Sequence, residues 1–174
     1  MRRFWPCLLV WLGACSTGPE WYAPPAQRKA LEGAGDGRIA RYIEMNAPNA
    51  DAHLMRDISR YIEGGVWRWA GPHPQMRFFV ESARHLRFSL DFAITESVFQ
   101  QTGPMTLSFL VNGQPFDKSR HDRPGEYHYE RQVPESMLRA GQENLVEIEP
   151  DRIWTSKEDG TQLSIILIRA GFVD

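Results

Sequence analysis

Three observations predict an all-β chain folded as an antiparallel β-sandwich or jelly roll. Apolar residues alternate with polar ones at period two, most strictly in Leu86, Phe88, Leu90 and Phe92 against Arg87, Ser89 and Asp91, and again in Met105, Leu107, Phe109 and Val111. The dipeptide Asn112-Gly113 separates two apolar runs, the signal of a tight hairpin. The 14 Gly and 12 Pro are scattered along the chain and punctuate short runs, about eight in all, as many-stranded sandwiches require.

A length of 174 residues suits one folded domain, and a hydrophobic fraction of 42% with 24% charged residues is ordinary for a globular protein. The first 14 residues stand apart from it. Arg2 and Arg3 make a basic start, and Phe4 to Leu12 is an apolar run too short to span a bilayer, which together read as an export signal over residues 1–14. Residues 15–37 are rich in Pro, Gly, Ala and charge and carry no apolar period, so they read as a tether, in which Trp21 and Tyr22 are the bulky side chains. The sandwich domain is expected over residues 38–174.

Within the domain, residues 38–65 admit two readings. Leu54, Ile58 and Tyr61 or Ile62 fall at helical spacing, with Asn49 or Asp51 as a cap and Gly64-Gly65 as a stop. The β-rich context favours instead short strands at Arg41 to Met45 and His53 to Ile62 around a Pro48 loop, leaving room for one short helix at 51–63. Val66 to Trp69 then forms a short strand stopped by Gly71-Pro72-His73-Pro74, with Trp67 and Trp69 on one face, where core packing explains them and sugar stacking is the weaker reading. Met76, Phe78 and Val80 point inward, and Ile94 to Pro104 is a loop. Phe116 lies beyond the hairpin turn, Tyr127, Tyr129 and Val133 share a face, Val146 and Ile148 point inward, and Leu163 to Ile168 is a continuously apolar strand covered on both faces.

Two resemblances add to this reading. Leu12-Gly13-Ala14-Cys15 resembles the lipobox of bacterial lipoproteins, which implies cleavage before Cys15 and acylation of its sulfur. On that reading Cys7 is discarded, no thiol remains for a disulfide, zinc site or nucleophile, and the mature chain carries 18 basic against 22 acidic residues. Ser16 replaces the Asp that tends to retain such proteins at the inner membrane of Gram-negative bacteria, so the resemblance implies a cell-envelope protein anchored by lipid to the outer membrane. Further on, Val111-Asn112-Gly113 with Leu138, Gly141 and Asn144 resembles the galactose-binding-like jelly rolls, including the sugar-binding domain of family 2 glycosidases, although this second turn is one residue longer than the motif. Trp67 to Trp69 and the closing strand through Gly171-Phe172 also look like small domains attached to bacterial glycosyltransferases. These motifs are turn-formers, so they imply a fold and, through it, a sugar ligand.

The chain contains no serine-nucleophile elbow, zinc-protease helix, phosphate loop or dinucleotide fingerprint, so no cofactor, metal or catalytic residue is assigned. Without a basic cluster, nucleic acid is not an expected partner. Asp117, His121, Asp122 and Glu126 concentrate acid and imidazole in one segment, which would serve a hydrolase or, with Arg120 and Arg123 offsetting the acids, a solvated loop. The expected function is a lipid-anchored, non-catalytic binding module for a glycan; a scaffold lipoprotein with an envelope-protein partner is the alternative, and a glycan hydrolase the third. Trp154 is the expected stacking platform, on a loop or a loop edge between the last strands, with Asp151, Arg152 and Asp122 as hydrogen-bonding groups.

Overall fold

A computed structural model of the protein describes residues 39–174. The export signal, Cys15 and the tether with Trp21 and Tyr22 lie outside the described residues. The elements in chain order are β1 (Tyr42–Glu44), α1 (Ala50–His53), β2 (Leu54–Ile58), β3 (Arg68–Val80), β4 (Arg87–Ile94), α2 (Glu96–Thr102), β5 (Met105–Val111), β6 (Gln114–His121), β7 (Gly125–Gln132), a 3-10 turn at Glu135–Met137, β8 (Gln142–Pro150), β9 (Trp154–Thr155), β10 (Gln162–Leu163) and β11 (Ile166–Val173). Every strand pairing is antiparallel. Among the described residues no helix is long and apolar enough to cross a membrane.

The chain is the antiparallel β-sandwich that its alternating residues predict. One half runs β6, β5, β8, β3 with β2 on the outer side of β3; the other runs β11, β4, β7 with β1 beside β11. The inward residues of both halves meet in one core. Phe78, Phe88, Phe92, Met105, Leu107, Val146, Ile148, Leu167 and Phe172 are sealed from solvent, and Leu90, Phe109 and Val80 nearly so. Ring packing is tilted or edge-on through Phe78, Phe88 and Phe172, while Phe109 stacks on Tyr129 with centroids 4.1 Å apart. At the far side the edges of β6 and β7 are joined by side chains, since the Tyr129 hydroxyl donates to Asp117 at 2.8 Å and Arg131 adds a second donor at 2.9 Å.

Gly71-Pro72-His73-Pro74 does not stop a strand, contrary to the sequence expectation. β3 runs 13 residues through this segment. Its start, Arg68 and Trp69, pairs with β11, and its end, Gln75 to Val80, pairs with β8, so the strand passes from one half of the sandwich to the other. The two prolines, which donate no ladder bond, and the glycine sit where neither neighbour ladder is continuous. Two further expectations are corrected. The segment expected as a loop from Ile94 to Pro104 contains α2, capped by the Thr95 hydroxyl accepting from Val98 N–H and ended by Gly103 at φ 69°. Leu163 to Ile168 is not one strand: β10 ends at Leu163, Ser164 and Ile165 separate it from β11, and Ser164 Oγ donates to the Gly71 carbonyl at 2.7 Å.

Between 38 and 65 the strand reading holds for β1 and β2, and the helical reading survives only as the single turn α1, preceded by Asn49 at the cap position. Tyr61 and Ile62 are exposed, so the helical face they would have completed has no core to meet. β1 can lie against β11 because Gly171, at φ 151°, has no side chain; a Cβ there would stand 2.4 Å from the Arg41 carbonyl oxygen.

The two turns that carry the jelly-roll resemblance are bonded to each other. Asn112 takes φ 52° and Gly113 φ 77° in the hairpin. The Asn112 amide donates to Asn144 Oδ1 and to the Met137 carbonyl, both at 2.8 Å, while its oxygen accepts from Leu145 N–H. Asn144, fully buried, spends its remaining capacity on Arg139 and Gln142. Both asparagines are consumed in holding turns together.

Candidate functional site

The start of β3 has an unexpected polarity. Arg68 and Ala70 are the inward residues, at 2% and 0% exposure, and Trp67 and Trp69 are half-exposed on the other face, edge to face with centroids 5.6 Å apart. Core packing therefore accounts for Trp69 in part, since it is half-buried against the core cluster, and not for Trp67, which lies outside that cluster. Once β3 is seen as continuous, the parity follows from the sequence, because Met76, Phe78 and Val80 fix even-numbered positions as inward.

Arg68 is tolerated inside because its Nε and Nη1 are fully engaged. Nε donates to the Met45 carbonyl at 2.6 Å, Nη1 to the carbonyls of Ser59 and Arg60 at 3.2 and 2.9 Å, and Nη1 lies 2.8 Å from the Asp51 carboxylate. These bonds pin the segment after β2, which turns back on β3 through Ser59 N–H to Trp69 O and Glu63 N–H to Trp67 O.

A cleft of about 530 Å³ lies on the outer face beside Trp69. Asp57, Ser59 and Glu63 line one wall, and Thr161, Gln162 and Leu163 line the other. Gly71 is in its floor, where a Cβ would approach the Asp57 Cβ to 3.3 Å, so a side chain there would crowd the two walls. Asp57 sits at the second of two irregularities in the pairing of β2 with β3, at φ 52°, a region Asp enters more readily than most residues. Its Oδ2 accepts the His73 N–H at 3.0 Å, which orients the carboxylate. The arrangement of an indole face beside a few oriented polar groups suits stacking of a sugar ring with hydrogen bonds to its hydroxyls.

Trp154 is the cross-strand partner of Leu163 in the β9–β10 hairpin, adjacent to this cleft, and it is half-buried against the core. The other expected site residues are less well gathered. Asp151 Oδ1 accepts Thr106 N–H at 2.7 Å; Asp122 pairs with Arg120 at 2.9 Å, following the residue that registers with Met105; Arg152 is exposed. Asp151 and Asp122 thus flank the start of β5 from its two neighbouring strands.

The Asp117 to Glu126 segment does not converge on a reacting centre. Burial disfavours ionisation of Asp117, but the bonds from Tyr129, the Lys118 backbone and Arg131 outweigh it and hold the carboxyl below its usual range. His121 packs between Phe92 and Tyr127, and burial lowers its pKa; its Nε2 is 2.9 Å from Ser119 Oγ. Neither Ser119 nor His121 lines the cleft beside Trp69. One metal-ligand-like group occurs among the described residues: His73, Glu147 and Glu149 bring ligand atoms within 4.8 Å of one another. Spacing along the chain could not reveal it, since β3 and β8 assemble it across a ladder. Arg56 and Gln75 already bond Glu147, so its charge is compensated without an ion.

No protein-family model matches the chain, and neither does any curated protein. Solved structures do. The chain is similar to a family 35 carbohydrate-binding module from Clostridium thermocellum at 14% identity and TM-score 0.45, covering 76% of this chain and 98% of that one. Carbohydrate-binding module CBM36, solved in complex with calcium and xylotriose, matches at 11% identity and TM-score 0.42 over 76% and 98% of the two chains. An acetyl xylan esterase (Est2A) from the rumen bacterium Butyrivibrio proteoclasticus matches at 13% and 0.43, over 79% of this chain and 32% of that one. At these identities and scores the likeness carries no argument about ligand or activity.

Proposed function

We propose that the protein is a lipid-anchored, non-catalytic glycan-binding module of the bacterial cell envelope. The observation that carries the reading is the outward pair Trp67 and Trp69 beside a cleft whose walls offer carboxylate, hydroxyl and amide groups. An indole left half in water costs stability that burial would recover, and sugar C–H faces are natural partners for it. Trp154 in the β9–β10 hairpin is the alternative platform, with Asp151, Arg152 and Asp122 as its candidate hydrogen-bonding groups. The lipobox-like Leu12 to Cys15 supports the anchor, and Ser16 the outer membrane as its place. A second reading, a scaffold for an envelope protein, is favoured by one feature: Tyr61, Ile62 and Val66 stand 82%, 42% and 46% exposed on the segment that leads into Trp67.

The test is titration of the full chain in mild detergent with a panel of neutral, cationic and anionic oligosaccharides, followed by tryptophan fluorescence. The expected result is a saturable change that Trp69→Ala weakens by about tenfold or more, equivalent to about 1.4 kcal/mol. Loss of affinity in Trp154→Ala instead would move the platform to Trp154. A flat response to the whole panel would refute glycan binding and leave the scaffold reading.

A further inference from the structure

We propose that the cleft beside Trp69 is selective for sugars that carry a free amine. This rests on the glycan-binding reading and narrows it to a ligand class. The charged side chains lining the cleft are Asp57 and Glu63, and no lysine, arginine or histidine joins them there. Several other acidic groups of the described residues pair with an arginine: Asp51 with Arg68, Asp91 with Arg169, Asp117 with Arg131, Asp122 with Arg120, Glu147 with Arg56 and Asp174 with Arg41. Asp57 and Glu63 form no ion pair within the described residues. Two uncompensated carboxylates facing one cavity create a negative potential that repels a uronate and attracts an ammonium.

The cavity supplies what an aminosugar needs beyond charge. The indole of Trp69 can take either the C–H face of the ring or the ammonium itself, since a cation over an indole face is attracted by the ring quadrupole. An ammonium brings a carboxylate opposite charge as well as a donor, where a hydroxyl brings a donor alone. Asp57 is held ready for that role, with Oδ2 bonded to the backbone at His73, and Thr161 and Gln162 on the opposite wall suit the remaining hydroxyls. An N-acetylated sugar could still stack on Trp69 but would bring no charge to the carboxylates.

The experiment compares three probes on the full chain in mild detergent at about pH 6, where a sugar amine is mostly protonated and carboxylates remain ionised. They are oligomers of β-1,4-glucosamine, of N-acetylglucosamine and of galacturonic acid. Expected is about tenfold tighter binding of the glucosamine oligomer than of its acetylated counterpart, with galacturonate weakest. The advantage should vanish in about 1 M salt, where the screening length falls to about 3 Å. It should also vanish in Asp57→Asn with Glu63→Gln, while binding of the acetylated oligomer persists. Asn tolerates the positive φ at position 57, and Glu63→Gln alone, at an exposed site, should remove part of the preference if the double variant folds poorly. Equal affinity for the amine and acetylated probes, or a preference that survives the substitutions, overturns amine selectivity and leaves glycan binding standing. No response to any probe overturns both.

Discussion

Replacing Arg68 with Met tests whether the inward guanidinium holds the cleft together. The substitution keeps an unbranched chain in the core but removes four polar contacts, to the carbonyls of Met45, Ser59 and Arg60 and to Asp51. The Met45 carbonyl belongs to a residue fully sealed from solvent and cannot regain water, which costs about 1 to 3 kcal/mol. Ser59 and Arg60 lie at the surface side and recover part of their hydration, so each lost charge-assisted bond costs less than its full worth, about 1 kcal/mol apiece. The Asp51 pair adds little, because that carboxylate side chain is 64% exposed. Relief from burying a guanidinium offsets some of this. The net is a loss of about 3 kcal/mol, or about 10 °C in Tm for a domain of this size. Thermal unfolding followed by circular dichroism measures it, with Asp51→Asn as the comparison, expected to cost below about 1 kcal/mol. The Ser59 and Arg60 carbonyls anchor the wall that faces Trp69, so Arg68→Met should also weaken oligosaccharide binding while the molecule is still folded. A variant that melts within about 2 °C of the parent, or an Asp51→Asn that costs as much, would refute the reasoning.

Phe109→Ala should cost about 3 to 5 kcal/mol and Leu90→Ala about 2 to 5, since both are nearly sealed in the core and Phe109 also loses its stack on Tyr129; a parental denaturation midpoint for either would count against the register described here. His53 is fully buried, accepts Ala40 N–H at Nε2 and donates from Nδ1 to the Arg77 carbonyl, an arrangement that only the neutral ring satisfies. Burial lowers its pKa, so the unfolded chain takes up a proton first, and stability present above the ordinary histidine pKa of about 6.5 should fall as the pH drops below it. Urea titrations across that range should show the decline, and His53→Gln should flatten part of it; a parental slope in that variant would remove His53 from the account. Cys15→Ser should shift the protein from the detergent phase to soluble or unprocessed fractions without changing the melting of the domain, and unchanged partitioning would reject the lipid anchor.

The strands whose two faces differ were legible without coordinates. Leu86 to Phe92 and Met105 to Val111 alternate because one face of each meets the core and the other meets water or a neighbour, a period carried by adjacent residues. The Asn112-Gly113 hairpin was legible for the same reason, since positive φ is a local requirement met by local residues. α2 had weaker local signals, a Thr95 cap and Gly103 beyond the end, and with Val98 its one fully buried residue it offered no apolar stripe to read.

What the tertiary structure decided is everything that depends on which strand lies beside which. Gly71-Pro72-His73-Pro74 is a stop signal by local rules and becomes a crossing between two halves of the sandwich only because β11 and β8 pair with opposite ends of β3. That crossing sets the parity that turns Arg68 inward and Trp67 and Trp69 outward. It also brings Asp57 to face Thr161 and Gln162, residues separated by roughly a hundred positions, across one cleft. Composition and spacing determine that there are strands and which residues each can bury; long-range pairing alone determines which exposed residues share a site, because no local periodicity encodes a contact between distant strands.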